Sequence, residues 1–494
     1  MTLPSLATTP IKQTTTCQLE EGTYLAALSA AARAVGNRLT FGQAPSPAPL
    51  PKQVSWVQRN GTRLQVDGQA FHVVGANRYL LMREAADPAQ REAALTVMRA
   101  AQDLGINVLR VWAFADGLIR PSALQPLPGQ FNEQVFSEGL DYIISQAANF
   151  GLRLVLTFTN SFNDSSGGMQ EYVSHWFNAT GATSITDFYA NPLIRTAFKA
   201  YVRQILMRRN SITGVNYRDE PSILAWDLAH QAQCPGDDTG DILQEWLQDM
   251  ATFVKSLDPA HLLTVGLRGY FGAQSAALQD ANPYDINAYA LGGSLLEGGQ
   301  VDCSTDISQH SSVPIDLTAL EGTAAYWQLC SPACKANITQ RWIRTHLQEA
   351  AVLDKPLLIT QFAKSRPVKD RDALFEMVYS TIYKAALEGL PAAGSLMWQL
   401  APETATDPDG YSVYLSPPTN PINNTWAEPL PQPCQCTGDH ERDQRFRNWD
   451  LLMQCAVRHT LLPYVGDVDV MNDGWNVTIG LINNNAAEIQ ALSN

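Results

Sequence analysis

The run Asn107-Val-Leu-Arg-Val-Trp112, the stretch Asn132–Phe150 and the run Leu152-Arg-Leu-Val-Leu-Thr-Phe-Thr159 decide the fold. The two outer runs are almost continuously apolar and rich in β-branched residues, as strands buried on both faces are, and the stretch between them has helical periodicity. A strand, a crossover helix and a second strand make a parallel pair. Further apolar runs lie outward from this unit, at Phe71–Gly75, Ile223–Leu228, Leu262–Gly266, Ile315–Leu320, Pro356–Phe362 and Gly394–Leu400. Helical periodicity fills Arg91–Leu104, Pro192–Arg208, Asp241–Ser256, Gln340–Leu353 and Asp372–Leu387. Strand and helix therefore alternate about eight times, which predicts an α/β chain folded as a closed (β/α)8 TIM barrel. An open doubly wound sheet is the rival, but no Gly-x-Gly-x-x-Gly follows an early strand, which weakens its dinucleotide-binding form.

The flanks differ in composition. Residues 1–51 form an N-terminal extension ending in Ala44-Pro-Ser-Pro-Ala-Pro-Leu-Pro51, an extended linker because proline lacks a backbone donor. The barrel is expected over 52–415. Residues 416–494 read as an appended, disulfide-tied C-terminal segment, since three of the eight cysteines, Cys434, Cys436 and Cys455, fall within it. The whole chain has 494 residues, 45% hydrophobic and 17% charged, a globular composition. Its formal charge of -14 argues against nucleic acid or an anionic membrane surface as a partner. No apolar run is long enough for a transmembrane helix. The cysteine spacings lack the second Cys or His pair of a zinc site, so neither a metal nor a cofactor is expected, and disulfides are. Six Asn-x-Ser/Thr acceptors, at Asn60, Asn163, Asn178, Asn337, Asn423 and Asn476, suit a secreted or extracellular glycoprotein. The N-terminus lacks a basic stretch followed by an apolar core, so the expectation is a leader already removed or another export route.

Barrel chemistry sits at the carboxyl ends of the strands. Those ends read Leu109-Arg-Val-Trp-Ala-Phe114, Trp226-Asp-Leu-Ala-His-Gln231, Thr360-Gln-Phe-Ala363 and Met397-Trp-Gln-Leu400. Aromatic rings there would take the apolar faces of sugars, and Arg, Gln and His their hydroxyls, so a carbohydrate cleft is predicted.

The stretch Asn191-Pro-Leu-Ile-Arg195 through Asn210-Ser-Ile-Thr-Gly-Val-Asn-Tyr-Arg-Asp-Glu-Pro-Ser-Ile-Leu-Ala-Trp226 resembles the glycoside hydrolase family 5 endo-β-1,4-mannanases, the plant type in particular, almost residue for residue. Asn107–Phe114, Leu127-Pro-Gly129, Ser256–His261, Lys355–Thr360 and Leu396–Leu400 extend the likeness in order over about 52–415. The resemblance implies a retaining glycosidase with two carboxylates about 5 Å apart, a proton donor and a nucleophile. In the family pattern the donor is the Glu of Trp-Glu-Leu-x-Asn-Glu-Pro, where this chain has Trp226-Asp-Leu-Ala-His-Gln-Ala232. Gln231 falls at the acid position and His230 at the assisting Asn. The nucleophile is the Glu of Thr-Glu-Phe-Gly, matched by Thr360-Gln-Phe-Ala363, which puts Gln361 in its place. Val-His-Ser-Tyr of the sixth strand matches Leu320-Glu-Gly-Thr323. Arg110 and Trp398 persist.

An amide neither donates a proton to a glycosidic oxygen at ordinary pH nor attacks an anomeric carbon, so both steps lose their agent. Glu321 is the candidate substitute carboxylate. Asp227 reads as a buried partner, from strand alternation. The resemblance further implies sugar contacts at Asn160, with Phe162 close by, and at Trp327; Trp112 and Trp226 suit either wall or platform, and His72 and His261 read as structural. The expected function is a mannanase homologue that binds β-mannan or glucomannan without hydrolysing it. An active mannanase or transglycosylase using Glu321 is the first alternative. The second is an assembly scaffold whose protein partner meets the N- or C-terminal extension.

Overall fold

The computed structural model describes residues 54–492, apart from 119–121, 163–164, 282–316, 324–331, 365–367, 415–468 and short stretches within 233–239, 268–280 and 403–409. Trp327, the N-terminal extension and most of the cysteines lie outside the described residues.

The chain enters through an antiparallel sheet, β1 (Val57–Asn60), β2 (Arg63–Val66) and β3 (Gln69–Ala70). Its second turn places Asp67 at φ 51° and Gly68 at φ 81°, the Asp-Gly hairpin signal. The barrel follows: β4 (Val73–Asn77), β5 (Val108–Trp112), β6 (Arg153–Thr157), β7 (Ile223–Asp227), β8 (Leu262–Leu267), β9 (Leu317–Thr323), β10 (Leu357–Ala363) and β11 (Ala392–Met397). Neighbours pair in parallel throughout, and β11 closes onto β4 with Leu396 opposite Gly75. The closure needs its glycine: a Cβ on Gly75 would strike the Leu396 side chain.

Apolar packing fills two layers. Val73, Val108, Val155, Leu224, Leu262 and Leu358 fill the lower barrel interior, and Val57 and Leu64 of the small sheet pack with them. Burying each such side chain is worth about 1.5–3 kcal/mol. The larger layer joins strands to the surrounding helices. The helix Pro192–Met207 shows how local sequence starts these helices: Asn191 accepts from the Leu193 amide and proline occupies the first turn. The segment expected as one helix, Asn132–Phe150, is helical nearly throughout, with a π-turn at Phe136–Leu140.

The end of the chain is not what its composition suggested. Asp469–Ala491 is a helix packed on the helix Val368–Leu387 and reaching β4. Arg371 donates to Thr478 Oγ1 (3.1 Å) and to the Ser412 carbonyl (3.1 Å), and Thr478 donates to Asp372. Ile482, Ala486 and Ile489 are buried, and Ala486 presses on Gly105, just past the first barrel helix Arg91–Asp103. Lying between the seventh and first helices, this element is the eighth helix of the barrel wall, so the barrel's own elements extend beyond 415.

Candidate active site

The carboxyl ends of the strands converge on one buried ion pair. Arg110 of β5 donates from Nε (2.9 Å) and Nη2 (2.5 Å) to Asp227 Oδ2 of β7, and both side chains are fully buried. Thr157 of β6 donates to the same oxygen (2.8 Å), and the Gly266 amide reaches Oδ1 (3.2 Å). A carboxylate so saturated is a fixed partner of the guanidinium rather than an acid or a base.

Arg110 then positions the next residue. Its Nη1 lies 3.0 Å from His230 Nδ1. A guanidinium only donates, so Nδ1 accepts and the ring proton sits on Nε2. The imidazole stacks on Trp398 (5.7 Å between centroids, 13° between planes) and tilts against Trp112 (5.6 Å) and Phe162 (5.6 Å). Tyr79 completes the wall, 5.1 Å from Trp398 in a stacked pose and 4.5 Å from Trp112. Asn160 bridges to His230 through the backbone, and Gly168 lies against it: a Cβ there would strike the Asn160 side chain.

The two glutamines flank this wall. Gln231 follows His230 with φ at 49°, a left-handed conformation uncommon for a residue with a Cβ. Ser161 Oγ donates to its carbonyl at 2.6 Å. Gln361 lies near the end of β10, buried, and opposite Glu321 of β9 in the strand register. Asn77, at the end of β4, donates to the carbonyls of Thr360 (2.9 Å) and Met397 (3.1 Å), tying β10 and β11 together beside the site.

Arg110, Trp112, Asn160, His230 and Trp398 thus come together as the sequence reading grouped them, with Gln231 adjoining. Glu321 is placed by backbone register alone, and Trp327 lies outside the described residues. Tyr79, Asn77 and Arg78, which donates to Gln399 (3.3 Å), were missed. The first strand was read as ending at Gly75, two residues short, and its end was not among those read for chemistry. Below the wall, burial and then the Asp116 carboxylate push the Tyr172 phenol well above its ordinary value, so it stays protonated and accepts from Gln125 (2.9 Å). His261 is structural: its nitrogens meet Asp258 (2.6 Å) and the Glu220 carbonyl (3.0 Å). Among the described residues no group of His, Cys, Asp and Glu is arranged to hold a metal, and no helix is long and apolar enough to cross a membrane.

The family described as GH family 5 beta-mannosidase-like matches residues 54–287. Mannan endo-1,4-beta-mannosidase 1 of Oryza sativa subsp. japonica is 38% identical over 373 residues, 72% of this chain and 81% of its own length. The chain belongs to glycoside hydrolase family 5. Within that family, mannan endo-1,4-beta-mannosidase 8 of the same plant is 36% identical over 73% of this chain and 95% of its own. The endo-1,4-beta-D-mannanase of Thermotoga petrophila superposes with a TM-score of 0.58 at 29% identity, covering 70% of this chain and 96% of that one. This family 5 chain is therefore a homologue of the mannan endo-1,4-β-mannosidases, with a (β/α)8 barrel like theirs.

Proposed function

We propose that this chain binds β-mannan or glucomannan at the mouth of its barrel and does not hydrolyse it. One observation carries the reading: the two strand ends at which the mannanase pattern has its proton donor and nucleophile hold the amides Gln231 and Gln361. The Asp227 carboxylate, at the end of β7, is committed to Arg110. The aromatic wall of Tyr79, Trp112, His230 and Trp398 supports retained sugar binding, because such rings stack on pyranose faces. Exposure of the acceptors Asn60, Asn178 and Asn337 supports a secreted glycoprotein, since glycosylation needs surface asparagine.

The test compares reducing-sugar release from galactomannan and glucomannan by the natural chain and by the Gln231→Glu/Gln361→Glu double variant, with mannohexaose binding measured on both. Binding without release by the natural chain, and release by the variant, is the expected outcome. Release by the natural chain would sink the reading. One observation favours a second reading, hydrolysis through Glu321: its backbone is registered directly beside Gln361. That reading predicts that release exists and that Glu321→Gln abolishes it.

A further inference from the structure

Gln361 sits at a fault in its strand. Against β9 the register of β10 slips between Ile359 and Gln361, and against β11 it slips between Ile359 and Phe362. The slip changes which face each side chain takes. Leu358 belongs to the barrel interior with Val73, Val108 and Leu262. In regular alternation Phe362, four residues on, would also face inward. Instead its ring packs on Phe375 (4.9 Å) and Tyr379 (5.5 Å) of the outer helix Val368–Leu387. The irregularity has therefore turned Phe362 out and Gln361 in, the re-aiming that bulges perform beside active sites. The backbone on both sides is held: Asn77 donates to the Thr360 carbonyl, and the Trp398 amide to the Phe362 carbonyl (2.9 Å).

Among the described residues the oxygen of the inward amide has no partner: Gln361 is 4% exposed, and its buried Oε1 accepts no hydrogen bond. A buried acceptor left unmade is costly to the fold, more so than an apolar group of the same shape. A strand that departs from regular pairing on both sides to present such a group is built around something other than its own stability.

We propose that Gln361 is a ligand-reading residue whose amide oxygen accepts a hydrogen bond from a hydroxyl of the bound saccharide. This rests on the glycan-binding reading above and adds to it a specific contact, one that requires an acceptor oxygen at this position. Recognition and stability are then opposed at this position. Replacing the amide by an apolar group of similar length removes the ligand contact and also removes the orphaned acceptor.

The experiment is titration calorimetry with mannohexaose and thermal unfolding without it, on the natural chain, Gln361→Met and Gln361→Glu. Gln361→Met is expected to bind about tenfold or more weakly. It should also melt roughly 1–2 °C higher, given the unfolding entropy of a chain this long. Gln361→Glu, which keeps acceptor oxygens, should bind within a few fold of the natural chain. Binding by the natural chain with equal affinity in Gln361→Met would overturn this inference and leave the glycan-binding reading standing. A lower melting temperature for Gln361→Met would overturn it too, because the amide would then be satisfied in the unliganded protein. No saturable heat with the natural chain would sink the glycan-binding reading and this inference with it.

Discussion

Two polar regions of this barrel are built by opposite rules. In the first, around the start of β7, each buried carboxylate is supplied with several donors. Asp141 accepts from Arg208 Nε (2.9 Å) and Nη2 (2.7 Å), from Tyr217 Oη (2.6 Å) and from Ser211 Oγ (2.7 Å). Nearby, Asp258 takes the Trp226 indole (2.6 Å) and His261. At the mouth, by contrast, Gln361 presents an acceptor with no described donor, and Gln231 stands in the left-handed region. Arg208, Ser211, Tyr217 and Trp226 of the first region fall in the stretch Asn191–Trp226, on which the resemblance to the mannanases rests most heavily. The first region is saturated with donors and serves the barrel wall, whereas the second leaves an acceptor oxygen free to meet a ligand.

The largest test of this contrast is Asp141→Ala. It strips the buried partner of Arg208 and Tyr217 together, and about 3–5 kcal/mol of unfolding free energy should be lost in urea titration. A loss under 1 kcal/mol would mean that the network is decoration.

Acid should attack the same region next. Burial pushes the Asp141 carboxyl up, but donation from Arg208, Tyr217 and Ser211 outweighs it and leaves the group below its ordinary range. Asp258 behaves alike, burial being outweighed by His261 and Trp226. A carboxyl depressed in the folded state binds fewer protons there than when unfolded, so its stabilisation is present above about pH 4 and is lost as pH falls further. Melting temperature followed downward from pH 5 should drop, and Asp258→Asn should show a shallower drop than the natural chain.

The smallest effect belongs to the mouth and has the opposite sign. Gln231→Gly suits φ 49° without a Cβ, so stability should hold or rise by up to about 1 kcal/mol, while mannohexaose affinity falls. Destabilisation by more than that would remove the distinction between the two regions.

Much of this was legible beforehand. Eight β-branched runs separated by helical periodicity specify parallel strands with crossovers, and closure follows from pairing the last with the first. The grouping of Arg110, Trp112, His230 and Trp398 followed from strand ends, because parallel strands in a barrel bring those ends to one face, while Asn160 came from the family resemblance. The small N-terminal sheet was overlooked although Asn60-Gly61 and Asp67-Gly68 are hairpin signals. The eighth helix was overlooked because Asp469–Ala491 is separated from β11 by a long proline- and cysteine-containing stretch that reads as an appendage.

Local pattern determined the order of elements, the presence of a barrel and the identity of the two amides, since each depends on neighbours a few positions apart. Only the tertiary structure decided that Asp227 is spent on Arg110, that the ring proton of His230 lies on Nε2, that the last helix closes the wall, and that a register slip turns Gln361 inward. Each of these depends on which distant groups meet in a dry interior, where an acceptor's worth is set by the donor that reaches it.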